Sequence, residues 1–204
     1  MRARPFSFDI SLKGDWGSQF DRRLERRLSG LTGIYLDSES QTRLALQGDP
    51  LVYEVFEMLR PTQAGELLNG LSVIHPGKVG REYFMTKGHY HEVRETAEMY
   101  YCVQGTGYLL MENEQGDWAV EEFRSGRVVY VTPGWAHRSI NTGTAEDLIT
   151  YFAYPGHSGH DYATIETHGF LKRVVEEDGR PVVIDDPLRS SAGRRASTGK
   201  DGRA

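Results

Sequence analysis

From Pro50 onward the chain is a train of short runs rich in β-branched and aromatic residues, and this pattern constrains the fold more than any other feature. The runs are LVYEVFEML, LSVIHP, REYFMT, EMYYCVQG, GYLLMEN, WAVEEF, RVVYVTP, HRSINTG and LITYFAYP, punctuated by Gly, Pro and Asn. Strand-like runs at roughly 8–12-residue intervals build a sandwich or a small barrel. The 23 glycines and 11 tyrosines point the same way, towards strands joined by many turns. No repeat of fixed period divides the chain, and its 204 residues suit one domain better than two.

The two ends read differently. In Asp15 to Leu31, Phe20, Leu24 and Leu28 recur at four-residue steps with Arg between them, which predicts an amphipathic helix stopped near Gly30. Ser38 to Leu46 predicts a second short helix. Residues 1–48 are therefore expected as an extension packed on a barrel formed by residues 49–187. Residues 188–204 carry five Lys/Arg, one Asp and no aromatic residue, and are expected as a disordered basic tail. A formal charge of −5 argues against a general nucleic-acid binder. No apolar span is long enough for a membrane helix, and MRARPFSFDI lacks the apolar centre of a signal peptide, so the expected compartment is the cytoplasm. The single cysteine, Cys102, excludes an intrachain disulfide and a CxxC zinc site, and reads as a small buried residue.

The chemistry concentrates in Gly88-His89-Tyr90-His91, Glu98 and His137. Side chains two apart on a strand share a face, so His89 and His91 can both point into a barrel. Glu98 opens the next strand-like run, and His137 follows Thr132-Pro133-Gly134-Trp135, with Asn141 four residues on. Three imidazoles and a carboxylate suit a divalent first-row metal: Fe(II), Mn(II), Ni(II) or Zn(II). Tyr100 shares the parity of Glu98. Gly88 is where a β-bulge would cost least, and a bulge there would let its N–H approach an anion. His75, His157 and His168 read as surface loop residues, and Arg94 beside Glu95 as a solvated pair. No GxxxxGK[ST] occurs, so nucleotide hydrolysis is not expected.

HxH, six residues, Glu, six residues, Gly resembles the first motif of the cupins, and Gly126 to Pro133 with His137 and Asn141 resembles the second. The wide spacing between His91 and Glu98 narrows the likeness. TKGHYH, ETAEMYY, PGWAHRSIN and GHDY are together similar to the cupin-type phosphoglucose isomerases, over about Asp49 to Pro187. The resemblance implies an all-β jelly-roll barrel with the metal inside and a short helical N-terminal region. It implies His89, His91, Glu98 and His137 as metal ligands, with Fe(II) first among the candidates. Ser72, Thr86, Gly88 and Tyr100 would contact a phosphate, and Tyr154, His160 and Tyr162 the sugar. Gly134 stands where relatives carry an aromatic residue, and the stretch from His137 to Tyr154 is one residue longer than the family pattern, placed in the turn Gly143 to Asp147. A homodimer is also implied.

The implied activity is interconversion of glucose 6-phosphate and fructose 6-phosphate, in glycolysis and gluconeogenesis. Moving the carbonyl between C1 and C2 needs a base beside the carbonyl carbon and stabilisation of negative charge on oxygen, which a metal provides. Glu98 can serve as base, as ligand or as both, and a C1–C2 hydride shift would need no base; the sequence leaves both routes open and the reading leans to an enediol. Tyr154 and His160 are further catalytic candidates. His160-Asp161-Tyr162 can open the sugar ring, or Asp161 can simply cap a short helical turn. The rival readings are another metal cupin (a dioxygenase, or an isomerase active on mannose 6-phosphate) and a non-enzymatic sugar-binding cupin. Ser72, Thr86 and Tyr100 favour a phosphorylated substrate over a dioxygenase's, and GHDY favours the isomerase over a simple binder.

Overall fold

The computed structural model describes residues 4–10 and 19–189. The chain runs β1 (Arg22–Arg27), a 3₁₀ turn (Leu28–Leu31), α1 (Ser38–Leu46), β2 (Leu51–Met58), β3 (Leu67–Ile74), β4 (Lys78–Val79), β5 (Glu82–Tyr83), β6 (Glu98–Gln104) and β7 (Thr106–Asn113). It continues with β8 (Trp118–Arg124), β9 (Val128–Val131), β10 (Trp135–Asn141), β11 (Leu148–Pro155), α2 (Ala163–His168), β12 (Lys172–Glu177) and β13 (Arg180–Asp185). Three antiparallel sheets result, ordered β1-β2-β3-β11-β6-β9, β10-β7-β8 and β13-β12-β5-β4. The fold is all-β, as the punctuated strand pattern predicts. The tail expected from residue 188 lies almost wholly outside the described residues.

The main core lies between the sheets. Phe123, Leu109, Ile140, Leu148 and Cys102 are fully buried there, at about 1.5–3 kcal/mol for each large apolar side chain. A second cluster, Phe20, Phe56, Met58, Leu71, Val73 and Ile149, sits apart from it, with Phe8 and Ile10 packed against it.

The helix expected over Asp15 to Leu31 is corrected where the chain is described: Arg22–Arg27 is a strand, followed by the 3₁₀ turn. The edge of β2 offers β1 a full antiparallel ladder and two carboxylates. Arg22 bonds Glu57 and Arg23 bonds Glu54 (2.5 and 2.6 Å), and these tertiary partners outweigh local helix propensity. The second expected helix is found, with Asp37 capping it at Ser40 N. The run REYFMT forms only the two-residue β5 and a bridge from Met85 to Ile140. The hairpin β12–β13 was not among the expected strands. Its signal was present in Asp178-Gly179, a dipeptide suited to tight hairpin turns, and both residues take positive φ (50° and 74°).

Candidate active site

His89 leaves the regular sheet pattern. Thr86 N–H donates to Ser139 O (2.9 Å), and His89 N–H donates to His137 O (3.2 Å). Three steps of chain from 86 to 89 thus oppose two from 139 to 137, so one extra residue is accommodated: a bulge. Gly88 lies within it at φ 79°, and a Cβ there would come within 2.6 Å of the Phe170 ring. Only glycine meets both demands.

The ligand atoms of His89, His91, Glu98 and His137 all lie within 4.8 Å of one another. That spacing suits donors placed about 2.0–2.2 Å from one shared centre. The His91 ring is set from behind. Thr96 Oγ donates to Val93 O (2.6 Å), so it must accept from His91 Nδ1–H (2.8 Å). The proton is therefore on Nδ1, and the bare Nε2 faces Glu98 Oε2 at 3.0 Å. His137 Nε2 lies 2.9 Å from the same oxygen without the geometry of a hydrogen bond, and His89 Nε2 is buried with no partner. Lone pairs converging at such distances fit a cation between them. Burial, with the neighbouring His137 and His160, pulls the His89 pKa well below its ordinary value and keeps it a neutral donor. These residues fit a divalent metal.

Around the metal cluster lies a cavity of about 110 Å³. Tyr154, His160 and Tyr162 close it on one side, with the His160 ring 4.4 Å from that of His89 and 5.2 Å from that of Tyr154. Burial lowers His160 to about 4 and raises Tyr162 to about 12, so both are neutral at pH 7. Burial, then the neighbouring Glu98 charge, raises the buried Tyr100 hydroxyl well above its ordinary pKa. Ser72, Thr86 and Gly88 line another part of the wall. Ser72 Oγ is buried without a partner. Thr86 Oγ accepts from Ser139 N (3.0 Å), which leaves its own hydrogen free to donate. Every residue singled out as a site candidate in the sequence, except His91, lines this one cavity, and His91 joins it through the metal cluster.

Arg26, Tyr53 and Lys87 also line it. Arg26 was hidden by the reading of its segment as a helix; on β1, Leu24 and Arg26 share the face turned to the cavity. Arg94 is not the expected solvated pair with Glu95. It bonds Asp161 Oδ2 (2.7 Å) and the His91 carbonyl, and stacks 4.4 Å from the Tyr90 ring. Asp161 also caps α2 through Thr164 N (3.1 Å) and exchanges backbone bonds with Tyr90, so it fixes the strip carrying His160 and Tyr162. His75 is not a free loop residue, since Asp147 (2.8 Å) and Glu54 (3.3 Å) hold its two nitrogens. Asn141 is buried and braces the turn to Glu146. Gly134 takes φ 82° in open space, outside the cavity lining.

An all-β fold carrying three inward imidazoles and a carboxylate that could hold a metal, beside a cavity, defines a protein of the cupin class. The family model described as "Glucose-6-phosphate isomerase (GPI)" matches residues 25–186. Glucose-6-phosphate isomerase of Thermococcus litoralis is 45% identical over 162 residues, covering 79% of this chain and 85% of the relative. That of Thermococcus kodakarensis is 43% identical over 186 residues, covering 90% and 96%. Among solved structures, a Klebsiella pneumoniae protein with a double-stranded beta-helix domain aligns with TM-score 0.40 and 19% identity, over 52% of this chain and 79% of that one. The chain belongs to the cupin-type glucose-6-phosphate isomerase family.

Proposed function

We propose that the chain interconverts glucose 6-phosphate and fructose 6-phosphate. The observation that carries this reading is the meeting, in and beside one cavity, of a His₃Glu cluster suited to a metal with the unpaired Ser72 hydroxyl, the Thr86 hydroxyl and two cationic side chains, Arg26 and Lys87. A divalent metal held by His89, His91, Glu98 and His137 would supply Lewis-acid stabilisation of the oxygens at C1 and C2. We take it to be iron(II).

Ser72 Oγ, Thr86 Oγ and the Gly88 N–H bind the phosphate, with Arg26 and Lys87 supplying charge. Tyr100 contacts the phosphate as well, from beside Glu98. Tyr154, His160 and Tyr162 orient the sugar, and neutral His160 exchanges the proton that opens the ring. Glu98 then takes a proton from the carbon beside the carbonyl and returns it to its neighbour, while a second proton passes from the hydroxyl oxygen to the carbonyl oxygen, by way of an enediol. The outer faces of β6 and β9 expose Met99, Tyr101, Val128 and Tyr130 in cross-strand pairs, an apolar surface that we assign to a homodimer contact. Among the described residues no helix is long and apolar enough to cross a membrane, and the cytoplasm, where sugar phosphates are turned over, is the compartment we assign.

The deciding experiment is coupled isomerisation of fructose 6-phosphate by chelated and metal-reconstituted protein. Activity should vanish on chelation and return with the ion. Full turnover by protein shown by elemental analysis to be metal-free would overturn the reading.

A further inference from the structure

Arg138 follows the metal ligand His137 on β10, and strand alternation turns it to the opposite side, away from the cavity. It is 4% exposed, and its guanidinium lies 4.5 Å from the Phe170 ring. Among the described residues, no carboxylate lies within ion-pair distance of it. Glu82 and Glu112, which feel its charge, are engaged by Arg173 and Arg189. Its Nε has no partner. Its one hydrogen bond runs from an Nη to the Lys87 carbonyl, at 2.6 Å.

A buried cation left without a carboxylate is costly, so its single strong bond needs an explanation. The Lys87 carbonyl and the Gly88 N–H are the two ends of one peptide group. A charged donor pulling on the oxygen withdraws electron density from the nitrogen, and the N–H becomes a better donor, as in any chain of polarised hydrogen bonds. The same bond fixes the plane of the peptide inside the bulge. Phe170 and the Arg138 Cβ pack close behind Gly88, so the bulge is held between this floor and the cavity.

We propose that Arg138 is a positioning residue for phosphate recognition: through the Lys87 carbonyl it orients and polarises the Lys87–Gly88 peptide, so that the Gly88 N–H donates to the phosphate of the substrate. The proposal deepens the reading of the cavity given above and rests on it. Two features separate it from a purely structural role. The effect travels to the phosphate and not to the metal, and it depends on the charge and reach of one donor.

The test uses full-length, zinc-loaded protein, with inorganic phosphate as the probe. Calorimetry gives the phosphate affinity, and the Gly88 amide proton shift reports the bond directly. In wild type the Gly88 proton should move downfield on phosphate addition. In R138M and R138K, phosphate affinity should fall about tenfold and about threefold, with zinc content unchanged. KM for fructose 6-phosphate should rise in parallel, while kcat stays within about threefold. R138K keeps a charge and the buried stem, so it remains a folded test if R138M does not fold. Wild type that binds no phosphate, or binds it without moving the Gly88 signal, would topple the reading of the cavity itself. A folded R138K with wild-type phosphate affinity, or one that loses zinc in place of phosphate affinity, would overturn the role of Arg138 and leave that reading standing.

Discussion

The metal end and the phosphate end of the cavity are built on opposite principles. At the metal end, every donor is a side chain, and Thr96 settles which nitrogen of His91 carries the proton. At the end proposed to hold phosphate, the donors would be one backbone N–H and two small hydroxyls, and the placement of Thr86 and Gly88 depends on a single-residue bulge. A divalent ion demands softness and geometry from its ligands, which side-chain identity provides. A phosphate demands several donors at close range, which backbone and short side chains provide best. The first end is rigid before any ligand arrives. The second keeps buried polar atoms such as Ser72 Oγ unpaired, and ligand binding would satisfy them.

The sharpest way to break this contrast is Glu98, which belongs to the metal end yet lines the shared cavity with Tyr100. With metal saturating, Glu98→Gln should still lose about 10²–10⁴-fold in rate, the usual worth of positioned acid–base catalysis. Wild-type product made in D₂O should carry deuterium at the accepting carbon. A near-wild rate, together with no deuterium, would make Glu98 a ligand alone and favour a hydride shift.

Thr96→Val sharpens the rigid side. It removes the hydroxyl that accepts from His91 Nδ1, and metal affinity, measured by competition with a chelator, should fall about 10–100-fold. Phosphate affinity should not change. Thr86→Val tests the other end. It should cost about 0.5–1.5 kcal/mol of binding, or about 3 kcal/mol if the phosphate charge strengthens the bond, and only for phosphorylated ligands. Equal losses with fructose would show that Thr86 does not read the phosphate.

The smallest effect concerns the strap that joins the ends. Bonds from Arg94, then Thr164, hold the Asp161 carboxyl at about 2, below its ordinary 3.8. Its contribution to stability is therefore complete above the unfolded value near pH 4 and is lost as pH falls through about 2. Asp161→Asn should lower stability at pH 7 by about 1–2 kcal/mol after allowance for solvent screening, and should flatten the acid limb of the stability curve between those values. Chemical denaturation at stepped pH measures both.

The same contrast explains what could be read from the chain beforehand. His89, His91, Glu98 and His137 announce themselves, because residue type and spacing are their chemistry. Most of the strands did so too, through their alternation and their turns. Arg26 was invisible, because it reaches the cavity only when β1 is a strand, and that depends on Glu54 and Glu57 about thirty residues away. Arg94 was misread for a similar reason: its partner Asp161 is distant in sequence, while Glu95 is merely adjacent. Periodicity carries local preference, whereas long-range ion pairs leave no mark on it. The hairpin at Asp178-Gly179 is a different case: its turn signal is local and legible in the sequence.

The strand order has a consequence for how the protein comes into being. In the large sheet β11 lies between β3 and β6, so the strand bearing Ser72 and the strand bearing Glu98 and Tyr100 are neighbours only through Leu148–Pro155. Such distant pairings form slowly, because the intervening chain must be closed before any contact repays the closure. During synthesis the ligands of the metal all emerge before that strand does. A chain stopped short of Leu148 would hold donors enough to catch an ion, yet lack the strand that brings the wall containing Ser72 alongside it. A growing chain therefore carries all four candidate ligands before it carries the strand that joins their wall to Ser72.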